Sequence, residues 1–246
     1  MKYCVECGHE LILQELENEG MIPYCPNCNE YRFPTFNSAI STVIFNKAKD
    51  KILLIQQYGR DSNILVAGYI NKGENANEAL LREVKEEVDL TVKKFIYNDN
   101  FYFERSNTLI HNFTSFVDEE EFHLTKEVDK ATWFSIDEAI EAIRPNSLAK
   151  QFLLQTLHKQ GFSKKLFHYE ENCIYILDAY DKIVAEITFP TIEDSCVINH
   201  TFVDQSLRGL GIASHLVEAA NAFILSKNKN VKATCSYAIN WLKKHK

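Results

Sequence analysis

Three groups of residues in this 246-residue chain have the types and spacing to do chemistry. The first is Cys4-x2-Cys7 and Cys25-x2-Cys28, two C-x2-C pairs seventeen residues apart. Four thiolates so spaced suit tetrahedral Zn2+. Gly8, Pro26 and Asn27 are turn formers at the two pairs. A pair of redox C-x2-C motifs is the weaker reading, because neither pair opens a helix after a strand. Four cysteines leave no open coordination position, so the metal's role would be structural. A segment of about 30 residues cannot build a core, and metal binding would supply folding energy on the order of 10 kcal/mol. The second group is Glu83, Glu86 and Glu87, at i, i+3 and i+4 of a helical stretch. Like charges so placed repel, and a hard cation, Mg2+ or Mn2+, is the chemistry that would gather them. The plain acidic face is the alternative. The third is the glycine-rich Arg208-Gly209-Leu210-Gly211-Ile212-Ala213 at the start of a helix, whose backbone N–H groups suit an anion.

Elements must position these groups. Residues 38–46 and 51–57 read as strands, with Asp50-Lys51 in the turn; Leu65 to Ile70 and a short loop follow. A helix is predicted over 75–88, with Asn75 and Glu78 as a capping box. Leu80, Leu81, Val84 and Val88 form its expected apolar face. A helical run over 148–160 ends at Gly161, and a domain boundary is expected at about 158–165. Strands are predicted at 173–179 and 183–189, around Asp181-Lys182, and at 195–203. The helix after the glycine loop carries Leu216, Val217, Ala220 and Phe223 on one face. The fold class is therefore multi-domain α/β (α+β).

Composition narrows the class. Hydrophobic residues at 46% and charged residues at 25% are globular values, and no apolar run approaches a membrane span. The opening MKYCVECGHE has no apolar stretch behind its lysine, so a reducing, cytoplasmic setting without a secretory signal is the expectation. Residues 1–160 carry 17 Lys and Arg against 25 Asp and Glu, and residues 161–246 carry 10 against 9. The anionic first part argues against nucleic acid spread over that surface and suits a divalent cation.

The stretch Gly68-x5-Glu74-x7-Arg82-Glu83-Val84-x-Glu86-Glu87-x-Asp89-Leu90 resembles the Nudix box, G-x5-E-x7-R-E-U-x-E-E-x-G-U. Asp89 stands where the pattern has Gly, at a helix C-terminus where a left-handed residue is needed. The resemblance implies a Nudix α/β/α sandwich with a mixed sheet. It also implies metal-dependent cleavage of a nucleoside diphosphate derivative, with Glu74, Arg82, Glu83, Glu86 and Glu87 catalytic. Glu83, Glu86 and Glu87 would hold Mg2+ or Mn2+, and Arg82 would orient a ligand glutamate. The general base stays open. A four-cysteine ribbon before such a domain resembles the bacterial NADH pyrophosphatases over about residues 1–158. Within that match, Tyr31-Arg32-Phe33-Pro34 resembles the exit from the ribbon. Val66-Ala67-Gly68-Tyr69 resembles an L-A-G-F segment whose aromatic stacks on a substrate base, implying Gly68 and Tyr69 as substrate contacts. Lys126-Glu127 resembles the region giving a fourth ligand, Glu127, whose alternative is a surface charge. Residues 98–106 keep Phe101, Phe103 and Ser106 of the S-Q-P-W-P-F-P-x-S pattern and lose its tryptophan and prolines, which puts selectivity for NADH over ADP-ribose in question. A small-molecule dinucleotide substrate and a homodimer are what the resemblance implies, with a ligand sensor or a hydrolase of NAD-capped RNA as alternatives.

Residues 168–246 resemble the short GNAT-like acetyltransferases, on Arg208-x-x-Gly211-x-Ala213, His200-Thr201-Phe202-Val203 and Ala233-Thr234-Cys235-Ser236-Tyr237. That implies an acetyl-CoA site at Val203, Arg208, Gly209, Gly211, Ile212 and Ala213. His200, Cys235 and Tyr237 are the candidates for transfer chemistry. His200 as a structural strand-end residue and Cys235 as an inert buried thiol are the bland readings, and Cys173 and Cys196 read as core thiols. Trp241 falls about where many such enzymes place a catalytic tyrosine. A non-catalytic, partner-binding role for this domain stays open. The expected organisation is a zinc ribbon over 1–35, a Nudix domain over 36–160 and a GNAT-like domain over 166–246.

Overall fold

Strands β1 (Ile12–Leu16), β2 (Gly20–Cys25) and β3 (Glu30–Tyr31) form an antiparallel sheet in that order in the computed structural model, which describes residues 2–245. Left-handed Asn18 and Gly20 make the tight turn between the first two. Ile12, Leu13 and Met21 are exposed, and Cys4 and Cys25 are the buried apolar residues of this part. Thiols, not a packed core, occupy its centre.

The next part is built on β4 (Asn37–Phe45), β5 (Lys51–Gln57), β6 (Val66–Tyr69), β7 (Val92–Phe103), β8 (Thr108–Val117) and β9 (Val128–Ser135). The sheet order is β7-β8-β4-β5-β9, with β6 also on β4. Only β4 and β8 are parallel, so the sheet is mixed. Helices α1 (Ala76–Val88), α2 (Ile136–Ala142) and α3 (Leu148–Lys159) cover its faces. Ile40 and Ile44 of β4 pack with Leu80, Val84 and Val88 of α1, whereas Val43 and Phe45 pack with α2 and α3. The strand is buried on both faces, which the β-rich run at 38–46 reflects, with Ser41, Thr42 and Asn46 as buried polar residues within it.

Helix α1 begins at the expected capping box, with Asn75 Oδ1 accepting from the N–H of Asn77 and Glu78. It ends at Asp89, which takes the left-handed conformation at φ 55°. Leu81 departs from expectation: it is exposed, because the sheet meets only the stripe of Leu80, Val84 and Val88.

The last part holds β10 (His168–Tyr169), β11 (Cys173–Leu177), β12 (Ile183–Thr188), β13 (Thr191–Ile192), β14 (Ser195–Ile198), β15 (His200–Val203), α4 (Ile212–Ser226), β16 (Asn230–Ala233) and α5 (Ser236–Lys244). Its sheets run β10-β11-β12-β15 and β13-β14-β16. The predicted single strand over 195–203 is therefore two. Asn199 N–H goes to Thr188 O, while Ile198 O accepts from Thr234 and Cys235, so the chain splays at this point. β14 pairs parallel to β16, and β15 pairs antiparallel to β12.

The joint between the last two parts is packed. Phe162 stacks on Phe45 at 6.0 Å between centroids. Leu153 and Leu157 of α3 belong to the same apolar cluster as Leu216 and Val217 of α4. Among the described residues, no helix is long and apolar enough to cross a membrane.

Candidate active site and metal centre

The four N-terminal cysteine sulfurs all lie within 4.8 Å of one another, with Cys4–Cys28 at 3.9 Å and Cys7–Cys25 at 3.5 Å. Zn–S bonds of about 2.3 Å in a tetrahedron set sulfurs about 3.8 Å apart, so this donor set fits Zn2+. Arg32 Nε donates to Cys4 Sγ at 3.2 Å and holds that thiol down at about 6. Contact with Cys7, followed by burial, pushes Cys28 up to about 12. Arg32 had been read only as part of the ribbon's exit; its guanidinium supplies positive charge where thiolates gather.

The second site is a cavity of about 530 Å³ where β5 and β6 part from each other. Strand β4 pairs β5 at Ile44 and Phe45 and β6 at Ala39 to Thr42, so the two neighbours separate along it. Glu83 and Glu87 enter the cavity from α1, and Glu127 enters from the segment before β9. The absence of a side chain at Gly68 makes room for the Glu83 carboxylate: a Cβ there would stand 1.9 Å from Glu83 Cδ and would displace it. Gln57 donates to Glu87 Oε1 at 2.8 Å, while Glu87 Oε2 is buried with no partner. Burial raises the Glu83 carboxyl and pushes Glu87 up to about 8.

Arg82 gathers the box. Its Nε and Nη2 bind the Glu74 carboxylate at 2.8 and 2.9 Å, Nη2 also donates to Tyr69 O, and Nη1 meets Glu83 and Glu86 at 2.7 and 2.8 Å. Arg82 holds Glu74 down at about 2. Glu86 faces outward, with 60% of its side chain exposed. The expected convergence of Glu83, Glu86, Glu87 and Glu127 is thus incomplete. Among the described residues only the cysteines form a group of three or more possible ligands within 4.8 Å of one another, and Arg82 draws Glu83 and Glu86 to itself.

Tyr69, Phe103 and Ser106 line the cavity, but Phe101 is not among its lining residues and stays half exposed on edge strand β7. The sequence reading missed Tyr58, Leu148, Ala149 and Phe152, which also line it. The last three belong to α3, the predicted helical run over 148–160, to which no site residue was assigned.

In the C-terminal part, Gly209 and Gly211 are left-handed and α4 starts at Gly211 without a side-chain cap. Ile212 is buried beneath the loop, Ala213 follows it, and Arg208 Nε reaches Val203 O at 3.4 Å. His200 is a surface residue with Nε2 3.8 Å from Glu186. Cys235 is half-buried at the N-terminus of α5, not sealed in the core. Burial opposes its ionisation, but N–H groups of Ala238 and Tyr237 and the Thr201 hydroxyl outweigh that and lower the thiol. Tyr237 is exposed. Trp241 Nε1 donates to Ser214 Oγ at 2.7 Å and ties α5 to α4. Cys196 is buried as expected, whereas Cys173 is half-buried with its thiol 3.6 Å from Glu170 Oε2, at the rim of the sheet.

Family models match the chain at residues 35–155, as a NUDIX domain, and at 174–246, as a GCN5-related N-acetyl-transferase. The chain joins a Nudix domain to a GNAT-like domain. Ahead of the Nudix domain lies the cysteine cluster. Among curated proteins the chain is similar to the NAD-capped RNA hydrolase NudC of Escherichia coli (strain SMS-3-5 / SECEC). They are 28% identical over 160 residues, covering 63% of this chain and 60% of that one. NudC of Pectobacterium carotovorum subsp. carotovorum (strain PC1) is 26% identical over 159 residues, covering 63% and 59%. The match thus spans about 60% of the length of these relatives. A Nudix hydrolase structure from Nitrosomonas europaea aligns with a TM-score of 0.47 and 20% identity, over 64% of this chain and 93% of that one.

Proposed function

We propose that the Nudix domain hydrolyses the pyrophosphate bond of a nucleoside diphosphate derivative with Mg2+ or Mn2+. NADH, NAD+ and ADP-ribose are the substrates the reading puts first, each releasing AMP. The observation that carries it is the buried carboxylate pair, Glu83 and Glu87, one turn apart, with Glu83 against Gly68 and Glu87 Oε2 unpartnered. A buried oxygen without a donor is costly and fits a cation ligand. Glu83, Glu86, Glu87 and Glu127 would hold the ion. When bound, it neutralises charge on the phosphates and lowers the pKa of the attacking water. Arg82 is a positioning residue, holding Glu83, Glu86 and Glu74 in one network. Tyr69 offers a face for a base, with Phe103 and Ser106 beside it in the lining. Glu86→Gln should lower turnover at least on the order of 100-fold, since it removes one anionic ligand while keeping its shape. Product chromatography over NADH, NAD+, ADP-ribose, nucleotide sugars and dinucleoside polyphosphates checks this. Near-normal turnover by Glu86→Gln would sink it.

NAD-capped RNA is the second substrate class, favoured by the name the similar enzymes bear. The cap presents the same diphosphate, while the acidic first part works against tight non-specific RNA binding. A capped oligonucleotide in the same panel decides between them.

For the C-terminal domain we infer acetyl-CoA binding at Val203, Arg208, Gly209, Gly211, Ile212 and Ala213, supported by the uncapped N–H groups at the start of α4. His200, Cys235 and Tyr237 are its candidates for transfer chemistry. Calorimetric titration that finds no binding at millimolar acetyl-CoA would reduce the domain to a scaffold. Zn2+ in the cysteine cluster completes the reading, supported by the sulfur spacing.

A further inference from the structure

Seven of the ten non-glycine residues with positive φ are Asn or Asp, the types that tolerate it, and Tyr58 is the one aromatic among the described residues. Tyr58 at φ 59° and Gly59 at φ 66° form a turn of two left-handed residues, closed by Arg60 N–H on Gln57 O at 3.2 Å. Its first central position favours Asn, Asp or Gly, and a bulky ring there is strained. The turn is also braced from β9, where Asp129 Oδ2 accepts from Gly59 N–H at 2.7 Å. The strained ring lines the cavity and is 75% exposed.

Its position along the cavity is what matters. Tyr69 follows Gly68, which lies against Glu83, and Phe103 and Ser106 line the same cavity. Tyr58 follows Gln57, which donates to Glu87, and Gln57 pairs with Val128 next to Glu127. Glu83 and Glu87 are one helical turn apart, about 6 Å along the axis. Both tyrosines line the cavity that holds the carboxylate pair, each next in the chain to a residue that touches one end of it, and the stretch between them suits a diphosphate.

We propose that Tyr58 is a specificity-determining substrate contact. It stacks on a planar ring carried by the sugar on the far phosphate, opposite the base at Tyr69, so that the cleft prefers a diphosphate whose two sugars both carry rings to one whose far sugar is bare. This rests on the hydrolase reading above. ADP-ribose ends in a bare sugar where NADH carries a second ring, so the two ligands separate the contribution of Tyr58 from that of the rest of the cleft.

The experiment uses the full chain in a Glu86→Gln background with Mg2+, which the hydrolase reading expects to bind without turnover. NADH binding is followed by its fluorescence, and ADP-ribose by competition. Tyr58→Asn, which suits the left-handed turn, should weaken NADH about three- to tenfold, the worth of one aromatic stack. It should change ADP-ribose less than about twofold, and Tyr58→Phe should bind like the parent. Thermal melting of Tyr58→Asn should be unchanged or higher, which a merely structural tyrosine would not allow. Equal loss for both ligands, or no loss for either, overturns this inference alone. A wild-type chain that neither binds nor hydrolyses either ligand overturns the hydrolase reading and the inference with it.

Discussion

At the scale of single residues, the site is organised by one contact, the Glu83 carboxylate against the Cα of Gly68. Gly68 does not have a left-handed φ, so alanine is acceptable to its backbone and unacceptable to its neighbour. Gly68→Ala should leave melting within a few degrees of wild type, displace Glu83 and lower metal-dependent turnover at least on the order of tenfold, as mispositioned ligands do. Paired melting and rate measurements check this, and an unaffected rate would mean that Glu83 does not act from that position. The Nudix box was legible because its stretch answers local demands: a gap at Gly68, a helix capped at Asn75 inside the x7 spacer, and a left-handed end at Asp89. Tyr58 was not legible, because its neighbours in the chain say only that a turn is near. Its relation to Glu87 appears only when β5, β9 and α1 are brought together. Phe101 came with Phe103 from the family pattern; both lie on β7, and only Phe103, nearer the end of the strand, lines the cavity.

At the scale of elements, those whose periodicity met one packing partner were read closely. The β-rich run of β4 and the capping box of α1 are cases. The break at Asn199 was not, because eight of its neighbours read as one β-rich run and the splay is set by Thr234, Cys235 and Thr188 from distant strands. The ribbon is an element with thiols where a core would be. Zn2+ holding Cys4, Cys7, Cys25 and Cys28 would make its folding and its metal binding one equilibrium. Chelation should then open residues 2–34 to protease while the strands and helices of the Nudix domain keep their amide protection. Hydrogen exchange with and without a chelator measures both at once. Unchanged protection in the ribbon would show that the hairpin of β1 and β2 stands without metal.

At the scale of the whole molecule, the Nudix and GNAT-like domains share one apolar cluster through α3 and the segment after it, so the expected boundary at 158–165 is a packed joint, with His158 and Ser163 buried. His158 ends this helix, 5% exposed, its Nδ1 3.0 Å from Ser163 Oγ. Burial holds the imidazole down at about 4, against about 6.5 in an unfolded chain. Between those values the unfolded chain binds the proton and the folded chain does not. The stabilising contribution of the neutral ring is therefore complete above about pH 6.5 and is lost as pH falls towards 4, with a span on the order of 3 kcal/mol. The same helix places Leu148, Ala149 and Phe152 along the Nudix cavity, so loosening its far end by acid should reach the catalytic domain as well as the joint. Urea unfolding across pH 4 to 7 should show a steep fall in stability below pH 6.5, flattened in His158→Gln, with both domains melting together at neutral pH. Two separate transitions at pH 7 would mean that the cluster does not couple them, and an unflattened slope in the variant would assign the acid sensitivity to other groups.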